Sequence, residues 1–241
     1  MANLQALNPS AHANLGVNPA YGTGLGYDQG AVMVMPHEIR TTQRDYPLVF
    51  RKHGGTGRLF LNALLGFAEQ ENLYLDGNGG WNADYVPHAF SKGPFMIAFA
   101  DEDEEKKRAI ISIDMEDPRV SADHANKLFD ADGKPSAYLE RINDILAHMH
   151  ESFPVMRHMI DAFQEAELIE PLTLDVQLDN GENIKFAGAF TIAEEKLSQL
   201  SAEALQQLNS HDYLSAAYYI AGSIENVGKL VRFRNLRNEV T

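Results

Sequence analysis

The chain has no cysteine in 241 residues, which excludes disulfide staples, thiolate-bound zinc, iron–sulfur clusters and a cysteine nucleophile. It is also short of positive charge: 20 Lys and Arg stand against 34 acids, a formal net charge of −14. A surface of that sign offers no field to offset phosphate repulsion, which excludes a DNA or RNA backbone as partner. Long apolar runs are missing too, none approaching the ~20 residues that cross a bilayer. The opening stretch, MANLQALNPSAHANLG, lacks the apolar core of a signal peptide, and the first Lys or Arg is Arg40. The expectation is a cytoplasmic protein, with signal-less export to the cell surface as the alternative.

What is present is an ordinary globular composition, 44% hydrophobic and 22% charged, in ample chain for a real core. Residues 1–30 stand apart, with four Asn, five Gly, two Pro and one acid. They read as a flexible arm, leaving residues 31–241 as a single globular domain. Gly22, Gly24, Gly26 and Gly30 do not fit G-x-G-x-x-G, and no strand precedes them.

Short β-branched and aromatic runs at 31–35 (AVMVM), 46–52 (YPLVFRK), 94–100 (PFMIAFA) and 108–115 (RAIISIDM) read as strands. Residues 58–67 (RLFLNALLGF) fit either a strand or a buried helix. The segment DEDEEKKR at 101–108 sets Glu102, Asp103 and Glu104 four residues ahead of Lys106, Lys107 and Arg108, a self-neutralising connection. Ile142, Ile145, Leu146 and Met149 mark one helix, and Val155, Met156, Met159, Ile160 and Phe163 a second that Pro154 would open. Leu172, Leu174, Val176 and Leu178 alternate toward an Asn180-Gly181 turn, with Ile184 and Phe186 on the return strand, the pattern of a β-hairpin. Thr191 and Glu194 form a capping-box pattern, and Ser201 can cap a further short helix. Residues 213–234 predict one last helix, with Lys229, Arg232, Arg234 and Arg237 gathered toward its negative end. Strands and helices are partly segregated, so the fold class is α+β: a mixed or antiparallel sheet with a C-terminal helical segment.

The search for chemistry is mostly negative. G-x-S-x-G and Walker A patterns are absent. Gly54-Gly55-Thr56-Gly57, followed by Arg58, reads as a tight turn, with an anion-binding nest as the weaker alternative. None of the nine histidines opens an H-x-D/E facial triad. His148 and His150 fall on nearly opposite helix faces. His150 and His158 could meet only if a turn at 152–154 folded two helices together. Asp130-Ala-Asp132-Gly133 resembles the start of a calcium loop without its later ligands and reads as a turn. The sequence calls for no metal and no cofactor.

The densest polar-aromatic cluster is WNADYVPH at 81–88, which holds the lone tryptophan beside a glycine-rich loop. It reads either as a loop packed onto the core or as the lining of a small-molecule or peptide site. The candidate binding set is Trp81, Asp84, Tyr85 and His88, with Arg51 from the YPLVFR run.

The ordered series YPLVFR (46–51), LNALLGF with NLYLD (61–76), WNADYVPHAF (81–90), PFMIAF (94–99), KLFDADGKPSAYL (127–139), LIEPLTLDVQLDNG (168–181) and FTIAEEKLSQLS (190–201) resembles the SapC family of bacterial proteins. The helix at 216–230 extends the likeness over residues 30–235. The resemblance implies association with a bacterial surface layer, or with genes for TonB-dependent receptors, halogenase-like proteins and cupin-like hydroxylases. It brings no catalytic residues. Family members often carry a cysteine ahead of the acidic step after PFMIAF, and this chain has none. The expected function is an accessory or interaction protein of a cell-envelope, uptake or surface-layer system, with a protein partner or self-association. The alternative is an enzyme, or a subunit of a modifying complex, with its site at 81–88.

Overall fold

The computed structural model describes residues 3–100 and 108–240. In chain order the strands are β1 Leu4–Ala6, β2 Gly16–Val17, β3 Ala31–Met33, β4 Leu48–Lys52, β5 Leu59–Leu64, β6 Phe95–Ala100, β7 Arg108–Asp114, β8 Val120–Ser121, β9 Asn126–Lys127, β10 Ile169–Gln177 and β11 Asn183–Ile192. The helices are α1 Ile39–Thr42, α2 His88–Ser91, α3 Ala137–Glu165, α4 Glu194–Ser198, α5 Ala202–Ser210, α6 Tyr213–Ser223 and α7 Val227–Val240. The fold is α+β, and the described strand pairs are antiparallel. The acidic-basic segment expected to neutralise itself lies, at 101–107, outside the described residues.

Two compact units share the chain, and neither is continuous in sequence. The first takes Met1–Tyr27, Gly77–Gly80 and His88–His150; the second takes Asp28–Asp76, Trp81–Pro87 and Glu151–Thr241. Helix α3 contributes its residues up to His150 to the first and the rest to the second.

The first unit holds two three-stranded sheets, ordered β1-β7-β6 and β8-β2-β9. The stretch whose composition suggests a loose arm supplies a strand to each: Leu4 pairs with Asp114, and Gly16 pairs with both Ser121 and Lys127. Val17, Phe95, Ile113, Leu128, Ile142 and Leu146 form the core, so the first apolar stripe of α3 is buried as its spacing requires. Arg119 is buried with its charge matched: Nε and Nη2 donate to the two Asp117 oxygens at 2.8 and 2.5 Å, and Nη1 donates to the Tyr27 hydroxyl.

The second unit is built on one five-stranded sheet, ordered β10-β11-β4-β5-β3. Its alternation places Phe50 against Phe163 of α3, ring centroids 6.3 Å apart. The ambiguous run at 58–67 resolves as strand β5, paired with both β3 and β4. The hairpin β10–β11 turns at Asn180-Gly181, where Gly181 has φ +84°, the left-handed conformation that glycine adopts without steric cost. Helix α6 packs on β4 and β11.

Three expectations are corrected. The two helices predicted around Pro154 are one, α3, with Pro154 inside it. The apolar stripes on either side share one helical phase, so the spacing itself marks no break at the proline. His150 and His158 are therefore eight residues apart on a continuous helix, a rise of about 12 Å, and cannot share a metal. Thr191 does not cap α4: it lies in β11 opposite Glu170, and Ala193 takes the N-cap position without a side-chain bond. The last helix is broken by a 3-10 turn, Ile224–Asn226. There Ser223 Oγ accepts from the Leu48 amide at 2.8 Å, and Asn226 donates to the Gln43 and Tyr46 carbonyls. The Ser201 cap is present, its hydroxyl accepting from the Ala204 amide.

Candidate functional site

The 81–88 stretch begins from two buried tyrosines. Tyr46 and Tyr74 are fully buried, and Trp81 stacks on Tyr74 with ring centroids 5.9 Å apart and planes 15° from parallel. The indole N–H donates to the Tyr46 hydroxyl at 2.6 Å, and that hydroxyl donates to the Tyr85 carbonyl at 2.5 Å. The Tyr85 hydroxyl in turn donates to Glu38 Oε1 at 2.8 Å. Glu38 is 1% exposed, and its Oε2 accepts from the Met35 amide at 2.9 Å. Burial, and then the Glu38 carboxylate, push the Tyr85 pKa well above the ordinary phenol value. Tyr85 is thus held as a neutral donor.

The structure brings Trp81 and Tyr85 together through Tyr46. Asp84, between them, is exposed. Arg51 sits half-buried in β4, opposite Phe60 on one side and Ala189 on the other. Among the described residues it makes no hydrogen bond to Trp81, Asp84 or Tyr85. His88 belongs to the first unit, as the first residue of α2; burial, and then the His148 imidazole, lower its pKa.

A second feature of this unit lies where the sequence gave no candidate. One face of the sheet and the C-terminal half of α3 enclose an open groove of about 990 Å³. Its floor is apolar: Phe190 and Pro171 come from the hairpin strands, and Met156 and Ile160 from α3. Phe153, 40% exposed, stands on its rim. Four cations line it, Lys52, Arg58, Arg157 and Lys196, against two carboxylates, Asp161 and Glu167. Lys52 lies over the Phe190 ring, 5.1 Å from its centroid. Lys196 donates to the Glu167 carbonyl at 2.9 Å. Among the described residues, neither Arg58 nor Arg157 meets a carboxylate within ion-pair distance. The Gly54–Gly57 turn, read as a tight turn, sits at the end of this groove. Its Gly55 and Thr56 amides already point at His53 Nδ1, 3.3 Å away.

Three of the four cations at the basic end of the last helix are spent internally, and Arg232 is exposed. Lys229 pairs with Asp45 at 2.9 Å, Arg234 with Glu71, and Arg237 donates to the Asn72 and Leu75 carbonyls. One sequence signal for the groove existed: Lys52 and Arg58 bracket the glycine turn, and an exposed Phe153-Arg157-Asp161 stripe runs beside the buried one on α3.

These features define a class, an antiparallel α+β protein with a cation-lined apolar groove on one sheet face. The whole chain then gives the particular family. The SapC family model matches residues 7–230, and the chain belongs to the SapC family. No curated protein and no solved structure matches it.

Proposed function

We propose that this protein works by holding a ligand or partner in the groove of its second unit, as an accessory component of a bacterial cell-envelope, uptake or surface-layer system. Family membership supports the setting. The groove supports the binding role and is the observation that carries it. A volume of about 990 Å³ with an apolar floor and a few charged groups has the size and make-up of ligand sites. Its four cations also stand out in a chain of net charge −14. Arg58 and Arg157 are exposed and, among the described residues, are in no ion pair.

Native mass spectrometry of the gently purified full chain tests this. The expected result is a mass above an integer multiple of the 26.8 kDa chain, lost when Met156→Trp fills the groove. A bare chain in both forms, or an adduct that survives the substitution, overturns the reading.

A second reading places a small-molecule or peptide site on the second unit, through the exposed Asp84 and the half-buried Trp81 and Tyr85. It supports an enzyme or a subunit of a modifying complex. Trp81→Ala should then abolish the retained mass while far-ultraviolet circular dichroism stays unchanged. A variant that unfolds instead makes Trp81 part of the core.

A further inference from the structure

The charges in the groove are not spread evenly. Lys52 closes β4, and Thr56 and Arg58 lie on the turn that follows it. Arg157 lies eight residues before Glu165, where α3 ends, and Lys196 sits with Glu167 at the other end. Extending the register from Phe50↔Phe190, Lys52 stands four residues along the strands from Ile192, about 13 Å away. The hairpin end therefore carries Lys52 and Arg58, and Arg157 stands on α3 one helical turn before Asp161. From it an apolar floor of Phe190, Met156, Ile160 and Ile169 leads away.

The backbone decides what kind of body fits that floor. Strand β11 is paired on both sides, with β10 and β4, and β4 is paired with β11 and β5. A peptide laid over β11 and β4 would find no ladder position for its amides and carbonyls, which burial would leave unpaired at a cost; of the strands lining the groove only β10, at the edge of the sheet, has an unpaired side. A body without backbone polar groups meets no such penalty.

We propose that the groove takes a small amphipathic anion: an acid head held at the hairpin by Lys52, Arg58 and Arg157, and an acyl or aromatic body lying along the floor beneath Phe153. This rests on the reading of the groove as the binding site and adds the class of ligand. Arg58 and Arg157 supply planar forks suited to a carboxylate.

The test is isothermal titration calorimetry of the full chain with decanoate, decanamide and acetate, below any micelle-forming concentration. Decanoate should bind. Decanamide, with the same body and no charge, should bind about tenfold more weakly, and acetate should give no heat. The double variant Lys52→Glu, Arg157→Glu should weaken decanoate about tenfold and leave decanamide unchanged, whereas Phe190→Ala should weaken both alike. All three positions are surface-facing or half-buried, and unchanged Trp81 fluorescence checks that the unit stays folded. Equal binding of decanoate and decanamide, or charge reversal without effect, overturns the proposal. Binding of the acidic peptide Gly-Glu-Thr-Phe-Thr-Glu-Gly in place of decanoate overturns it in favour of a peptide ligand. If decanoate fails while native mass spectrometry still shows an adduct that Met156→Trp removes, the ligand class is wrong and the groove reading stands.

Discussion

Replacing Tyr85 with Phe removes one oxygen from the chain of bonds that begins at Trp81. That hydroxyl donates to Glu38 Oε1 at 2.8 Å, and Glu38 is 1% exposed. A hydrogen bond to a charged acceptor contributes roughly 1.5–3 kcal/mol, and its loss leaves a buried carboxylate oxygen short of a donor. The aromatic ring is retained, so packing changes little. Tyr85 is half-buried rather than enclosed, which places the cost toward the lower bound, about 1.5–2 kcal/mol. For a chain of this length that is a fall in melting temperature of about 3–8 °C. Urea unfolding followed by Trp81 fluorescence is the appropriate assay, because the lone tryptophan lies in the same unit. Asp84→Asn, one residue away and exposed, should stay within about 0.5 kcal/mol of the parent. The reasoning fails if Tyr85→Phe unfolds at the parent's urea midpoint. A parental midpoint combined with lost ligand binding would make Tyr85 part of a binding site.

The pH dependence has a definite sign. Tyr74 and Tyr85 in the second unit, and Tyr21, Tyr27 and Tyr138 in the first, all have raised pKa values with burial as the first cause, Tyr138 to about 12. Below the ordinary phenol value of about 10 both folded and unfolded chains keep these protons, so stability is flat. Above it only the unfolded chain ionises, and stability falls, with fully buried Tyr74 alone contributing up to ~1.4 kcal/mol per pH unit. Ultraviolet absorbance of tyrosinate should show these phenols ionising together with loss of structure; reversible titration of all nine tyrosines near pH 10 with the fold intact contradicts this. Glycine substitutions should differ in sign. A Cβ at Gly30 would stand 2.0 Å from the Ala68 carbonyl oxygen, where the Gly30 amide is already fixed to Glu69 O at 2.7 Å, so Gly30→Ala should cost about 1–3 kcal/mol. Gly54 has nothing within 4 Å, and Gly54→Ala should stabilise by about 0.4–1 kcal/mol; thermal melts that rank the two equally refute the steric argument.

Strands β3, β4, β6, β7 and the β10–β11 hairpin were legible because each carries its own local signal, whereas the short β1, β2, β8 and β9 carry none. β-branched and aromatic residues fill β4, β6 and β7, and Asn180-Gly181 names the hairpin turn without reference to anything distant. The errors came where a local rule competed with a longer phase. Proline is favoured at helix starts, so Pro154 suggests a boundary. Yet Ile142, Leu146, Met149, Met156, Ile160 and Phe163 keep one helical phase across it, Met149 and Met156 being seven residues or about two turns apart. Thr191 and Glu194 match a capping box, but Phe190 and Ile192 continue the alternation of β11 through Thr191, and the ladder to Glu170 prevails. Ser223 and Asn226 break the last helix by binding residues more than 170 positions away, which no local pattern announces.

The same distinction explains why the aromatic cluster was visible and the groove was not. WNADYVPH is dense within one stretch of chain, so composition alone draws attention to it; what it cannot show is that Tyr46 and Glu38 absorb its polar groups. The groove is the reverse case. Lys52, Arg58, Arg157 and Lys196 are scattered over nearly 150 residues, each an unremarkable surface cation where it stands. Only the pairing of β11 with β4, and the packing of Phe163 on Phe50, bring them round one apolar floor. A binding face assembled that way depends on sheet register. Lys52 and Arg51 point to opposite faces of β4, and a slip of one residue would exchange them. It follows that the stability of the β4–β11 ladder and the charge of the groove are one property, and that a substitution shifting this register should remove ligand binding before it unfolds the chain.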